Sequence, residues 1–162
     1  MKQEHVQPIP ITGAVITVST TRTQETDSSG KTIQAILAEA KIPVQHYAVI
    51  PDQIEAIRSE LYQALKTCNC IIIDGGTGLT HDDCTIEAVT PLLEKKIDGF
   101  GELFRMKSFD EIGTSTMLSR AIAGTIRGRV IFCIPGSTPA VTLATKTLIL
   151  PEIAHILSHA NK

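Results

Sequence analysis

Short β-branched runs alternate along this chain with stretches whose apolar residues recur at helical spacing. That alternation limits the possible folds more than any other feature. Ile11 to Ser19 (ITGAVITVS), Val44 to Ile50, Cys70 to Ile73 and Arg129 to Ile134 read as strands. Between them, Ser29 to Ala40 carries Ile33, Ile36, Leu37 and Ala40 on one helical face, and Asp52 to Lys66 carries Ile54, Ile57, Leu61 and Leu65. Ser28 or Ser29 is placed to cap the first of these helices, and Pro51 falls just before the second. Thr85 to Glu94 reads as a third helix and Asp110 to Ile126 as a fourth. A last helix starts near Thr138, and Pro151 is expected to break or kink it. Ile97 to Met106 reads as an excursion with short strands of its own. Strands and helices in this order make βαβ units with right-handed crossovers. The expected class is α/β, with a mostly parallel sheet and helices on both faces.

A chain of 162 residues suffices for one domain, expected over residues 11–162 after a flexible arm at residues 1–10. The formal net charge is −2, from 15 basic and 17 acidic residues, so binding to nucleic acid or to a membrane surface by charge alone is not expected. No apolar run reads as long enough to cross a bilayer, and the N-terminus lacks a signal core, so the protein is expected in the cytoplasm. There the four cysteines are expected to be thiols, with Cys133 a small core residue. Cys68-Asn69-Cys70 has no second cysteine pair at zinc-ribbon spacing, so no structural metal site is expected.

In parallel sheets ligands collect beyond the carboxyl ends of the strands. The turns of interest are therefore Ser19 to Gly30, Ile50 to Asp52, Asp74 to Thr85 and Pro135 to Thr138. Gly75-Gly76-Thr77-Gly78 follows the third strand. Glycines there let consecutive amides approach an anion, a phosphate above all, although a bare tight turn has the same composition. Asp82 and Asp83 would repel such an anion unless a divalent cation stood between, as Mg²⁺ commonly does. Thr85 reads as a helix cap. Asp52 reads either as a cap or as a carboxylate facing the cleft, and Pro135-Gly136-Ser137-Thr138 offers a second nest. Ser29-Gly30-Lys31-Thr32 looks like the end of a phosphate-binding loop, but Glu25 stands where its first glycine belongs, so Lys31 reads as an exposed helix residue. His155 and His159 lack the rest of a zinc motif and read as surface residues.

VSTTRTQETDSSG, GGTGLTHDDCTIEAVTPLL, IDGFGELFRMKSF, EIGTSTMLSRAIAGT and IPGSTPAV together resemble the MoaB/MogA family of molybdenum cofactor biosynthesis proteins, and its MoaB branch in particular. The resemblance spans roughly Ile11 to Leu157. It implies a three-layer α/β/α molybdopterin-binding fold, assembled as a trimer or as a hexamer of two trimers. It also implies binding of molybdopterin, a pterin with a dithiolene and a phosphate, and adenylylation of that phosphate with Mg-ATP before molybdenum insertion. Matched by position, Gly75, Gly76, Thr77 and Gly78 would hold the phosphate, and Asp83 and Asp52 would be catalytic, with Mg²⁺ held through them. Ser19, Glu102, Ser115, Gly136 and Ser137 would line the pocket. A molybdenum-insertion protein would be the downstream partner. The chain departs from the family pattern at Thr20, Asp74, Asp82, Cys84 and Pro139; at Asp82 the family usually has arginine and at Asp74 a neutral residue. Two further functions stay open beside the adenylyltransferase: a molybdopterin carrier without turnover, and an oligomeric partner protein with a vestigial pocket.

Overall fold

The structure is a computed structural model and describes residues 7–162, so the expected arm at residues 1–10 lies mostly outside the described residues. Six strands form one sheet: β1 (Gly13–Val18), β2 (Val44–Ile50), β3 (Cys70–Asp74), β4 (Lys95–Lys96), β5 (Ile122–Ile126) and β6 (Arg129–Ile134), in the order β2-β1-β3-β6-β5-β4. β2, β1, β3 and β6 run parallel, while β5 is antiparallel to β6 and β4 antiparallel to β5. The sheet is thus mostly parallel, as the alternation requires.

Helices cover both faces because the side-chain period of a strand is two. Val15, Ile72 and Phe132 point into a core with α1 (Ser28–Glu39), α4 (Asp98–Ile112) and the C-terminal helices, whereas Ile16, Ile71, Ile73 and Ile131 point into a second core with α2 (Ile54–Leu65) and α3 (Thr85–Val89). Ile71, Ile72 and Ile73 are each fully buried, contributing about 1.5–3 kcal/mol per side chain. That is why β3 reads as an unbroken apolar run rather than an alternating one.

Several local expectations change. Asp27, not Ser28 or Ser29, caps α1; its carboxylate accepts from the Gly30 amide at 3.0 Å. Gln53 stands at the N-cap of α2 without a side-chain bond, and Cys84 at that of α3, so neither Asp52 nor Thr85 serves as a cap. The third helix ends early at Val89 and continues as a 3₁₀ turn, Thr90–Leu92.

The stretch expected to make short strands, Ile97 to Met106, lies instead in the 15-residue helix α4, whose buried face is Phe100, Gly101, Phe104 and Ser108. The helix expected over Asp110 to Ile126 is the end of α4, a 3₁₀ turn (Gly113–Leu118) and the strand β5. Arg127 and Gly128, at φ 49° and 77°, form the two-residue turn that pairs β5 with β6.

The C-terminal helix is not broken. It runs as α5 (Thr138–Leu143), a π-helical segment (Ala144–Ile149) and α6 (Leu150–Ala160), with Pro151 in the first turn of α6. This 23-residue run is long and apolar enough to span a bilayer, contrary to the sequence expectation. Its Val141, Ala144, Ile149, Ile153 and Leu157 are nevertheless at most 2% exposed, packed into the first core.

Candidate functional site

The carboxyl ends of β1, β3 and β6 lie side by side, which brings three turns together. Gly75 extends the ladder, its amide donating to the Ile134 carbonyl at 2.9 Å. The chain then turns sharply at Gly75 and Gly76, with φ of 93° and 69°. A Cβ on Gly75 would sit 2.3 Å from the Val18 carbonyl oxygen, and one on Gly76 2.3 Å from the Thr85 hydroxyl, so both positions require glycine. Thr85 closes the turn: its amide donates to the Gly76 carbonyl and its hydroxyl to the Gly75 carbonyl, at 3.0 and 2.8 Å. The amides of Gly76, Thr77 and Gly78 donate to no acceptor among the described residues. Three successive donors of this kind form an anion nest.

Carboxylates flank the nest. Asp52 Oδ2 accepts from the amide and the hydroxyl of Thr20, at 3.0 and 2.8 Å, and Asp52 Oδ1 lies 3.3 Å from where a Cβ on Gly76 would be. Asp83 Oδ2 likewise accepts from the amide and the hydroxyl of Thr80, at 3.0 and 2.8 Å, against Gly78. Each carboxylate therefore has one oxygen fixed by a threonine, while its Oδ1 carries no hydrogen bond among the described residues. No group of three or more His, Cys, Asp or Glu that could hold a metal ion occurs among the described residues. Mg²⁺ normally takes one or two carboxylates and completes its octahedron with substrate oxygens and water, which these two open oxygens suit.

Ser19 folds its own loop, its Oγ accepting from the amides of Thr21 and Arg22. Ser137 caps α5, accepting from the Ala140 amide at 3.3 Å. Gly136 packs against the glycine turn; a Cβ there would be 3.2 Å from the Gly75 Cα. Ser19, Asp52, Gly75 to Gly78, Asp83, Gly136 and Ser137 thus converge on the strand ends. Glu102 and Ser115 are placed elsewhere. Glu102 lines a cavity of about 320 Å³ between α4 and β5, and Ser115 is exposed on the 3₁₀ turn.

Two arginines reach the turns, although neither was singled out from the sequence as a site residue. Arg120 Nε and Nη2 donate to the Gly78 carbonyl at 3.0 and 2.7 Å, and the same guanidinium pairs with Glu87, holding that carboxyl below the usual range. Arg22 Nη1 donates to the Gly136 carbonyl at 3.3 Å and to Ser29 Oγ at 2.7 Å. Neither position follows a spacing rule, because Arg120 meets Gly78 and Arg22 meets Gly136 from distant parts of the chain. Beside Asp83, burial above all, then the charges of Asp52, Glu87, Asp83 and Asp82, raises the Cys84 thiol, keeping it protonated.

Residues 14–155 match the family model described as "Probable molybdopterin binding domain". Molybdenum cofactor biosynthesis protein B of Staphylococcus carnosus is 47% identical over 168 residues, covering 99% of each chain. A crystal structure of a molybdenum cofactor biosynthesis protein B superposes with a TM-score of 0.91 at 46% identity, covering 96% of this chain and 98% of that one. The tungsten cofactor synthesizing protein MoaB from Pyrococcus furiosus superposes with a TM-score of 0.86 at 36% identity, covering 96% and 100%. Fold, family model and near full-length identity agree, and the chain belongs to the MoaB/MogA family of molybdenum cofactor biosynthesis proteins, on its MoaB branch.

Proposed function

We propose that this protein binds molybdopterin by its phosphate at Gly76–Gly78 and adenylylates that phosphate with Mg-ATP, preparing the pterin for molybdenum insertion. The supporting observation is the nest of three amides without an acceptor among the described residues, set between two carboxylates that each keep one oxygen without a hydrogen bond among them. A phosphate oxygen of the pterin attacks the α-phosphorus of ATP. The bond from that phosphorus to the bridging oxygen breaks, and pyrophosphate leaves. A phosphate monoester is largely ionised near neutral pH, so the attack needs little general-base help. The protein's contribution is position and charge: the amides fix the nucleophile, and Asp52 and Asp83 would hold the Mg²⁺, which would supply charge neutralisation to the transferring group.

Assembly as a trimer or hexamer belongs to the same reading. α4 and the following 3₁₀ turn expose Leu103, Met106, Phe109, Ile112, Met117 and Leu118, a face that further copies of the chain would cover. Glu102 and Ser115 lie on those same elements, where a neighbouring copy's cleft would be within reach of the assembly. The cytoplasm fits the four free cysteines, three of them buried.

The test is incubation of the purified protein with molybdopterin, ATP and Mg²⁺, following adenylylated pterin and pyrophosphate. Asp83→Ala is expected to lower turnover about a hundredfold or more while pterin affinity changes only a few-fold, because the metal contact matters most in the transition state. A second reading, a molybdopterin carrier without turnover, draws on Asp74 and Asp82, two acids beside an anion site. Tight pterin binding with no product at any Mg²⁺ concentration would select it.

A further inference from the structure

Two carboxylic acids lie fully buried beneath the glycine turn, and neither faces the proposed substrates. Asp27 and Asp74 are each 0% exposed. The single hydroxyl of Thr17 lies 2.7 Å from Asp27 Oδ2 and 2.8 Å from Asp74 Oδ2. A hydroxyl carries one hydrogen and can donate to only one of these oxygens. The other contact is an O···O approach at hydrogen-bond length inside the core, and it needs a hydrogen from elsewhere.

Among the described residues the remaining donors are already committed. Tyr47 donates to Asp27 Oδ2 at 2.6 Å, the Gly30 amide to Asp27 Oδ1 at 3.0 Å, and Ser29 to Asp74 Oδ1 at 2.6 Å. The missing hydrogen therefore belongs to a carboxyl. Asp74 Oδ2 is the better place, since Asp27 Oδ2 already accepts from tyrosine. The result is a directed chain: Asp74 carboxyl to Thr17 hydroxyl to Asp27 carboxylate.

The charge count gives this hydrogen a consequence. Arg22 is the cation at the cluster, 3.9 Å from Asp27 Oδ1 and bonded to Ser29. With one shared proton, Asp27, Asp74 and Arg22 sum to zero; without it they sum to −1. The charge would appear next to Gly75 and close to the second turn, since Asp74 Oδ1 is 3.5 Å from the Cβ position of Gly136. Of the other titratable groups nearby, Tyr47 reaches the pair from β2, while Asp52 and Asp83 lie against Gly76 and Gly78 and His81 belongs to the same loop.

We propose that Asp27 and Asp74 hold one proton between them through Thr17, that an anion binding at Gly76–Gly78 favours this protonated pair, and that Asp74 is thereby a positioning residue for the phosphate. The proposal rests on the phosphate reading only in taking this turn as the anion site. Burial, the largest influence, together with the charge of Asp27, outweighs the Ser29 and Thr17 hydrogen bonds and the Arg22 charge, raising Asp74 to about 6. The proton is therefore exchangeable near neutral pH.

Sulfate, a dianion throughout this range, is the probe. Amide NMR shifts of Gly76, Thr77 and Gly78 report its binding, and the ¹³C shift of the Asp74 carboxyl reports the proton in the unaltered protein. Sulfate affinity is expected to fall about tenfold from about pH 5 to about pH 8, with the Asp74 midpoint moving up when sulfate saturates. Asp74→Asn, which keeps a donor toward Thr17, is expected to hold the low-pH affinity throughout. Sulfate binding with an Asp74 midpoint near 4, or with equal pH dependence in Asp74→Asn, overturns the linkage alone. Sulfate that moves none of these amides at any pH overturns both the linkage and the phosphate site.

Discussion

Asp74 ends a strand of isoleucines, and its carboxyl is buried with Ser29 and Thr17 as hydrogen-bond partners. Raised from 3.8 to about 6, it also contributes to the pH dependence of stability. The unfolded chain releases this proton near 4 and the folded one near 6, so the contribution is full below about pH 4 and is lost as pH rises through about 6. Two pH units correspond to about 3 kcal/mol. Urea unfolding across that window should show wild-type stability falling by an amount of this order from this group, and Asp74→Asn should remove that fall. At this scale the sequence pointed to the glycines and to acids at the turns, because strand ends and glycines have local signatures, while the roles expected of Asp52 and Asp83 came from the family resemblance. Asp27 has no distinct signal in the sequence, because three neighbouring residues could each cap α1. The choice among them is made by Thr17 and Tyr47, which approach from strands β1 and β2.

Helix α4 shows how an element can hide its own period. Phe100 and Phe104 face the core, with Phe100 edge-on to Phe132 at a centroid distance of 5.0 Å. Leu103, Met106, Phe109 and Ile112 are exposed among Glu102, Lys107, Asp110 and Glu111, so apolar residues lie on both sides of the helix and blur the amphipathic signal. The two faces should respond differently to truncation. Phe104→Ala, at a site 1% exposed, is expected to cost about 3–5 kcal/mol in chemical denaturation. Phe109→Ala, at 53% exposed, should stay within about 0.5 kcal/mol for the isolated chain. Strand β5 is hidden in the sequence for a related reason: Ile122 to Ile126 is short and follows a 3₁₀ turn. Its strand character comes from pairing with β6 and β4 rather than from its own pattern.

For the whole molecule, the exposed apolar face on α4 and the following turn is the feature a single chain leaves uncovered. If copies of the chain cover it, Met106→Glu with Phe109→Glu should reduce the mass in sedimentation from an oligomer to a single chain, while circular dichroism stays unchanged. An unaltered mass would place any assembly interface elsewhere. Sequence alone determined the parallel core of the sheet and the sharp turns at its strand ends, because strand and helix periods, glycine and strand-end acids are local properties of the chain. Tertiary structure decided which carboxylates are buried together, where Arg22 and Arg120 reach, and that residues 98–112 form a helix. Those outcomes depend on contacts between residues far apart in sequence, and such contacts leave no periodic mark on either partner.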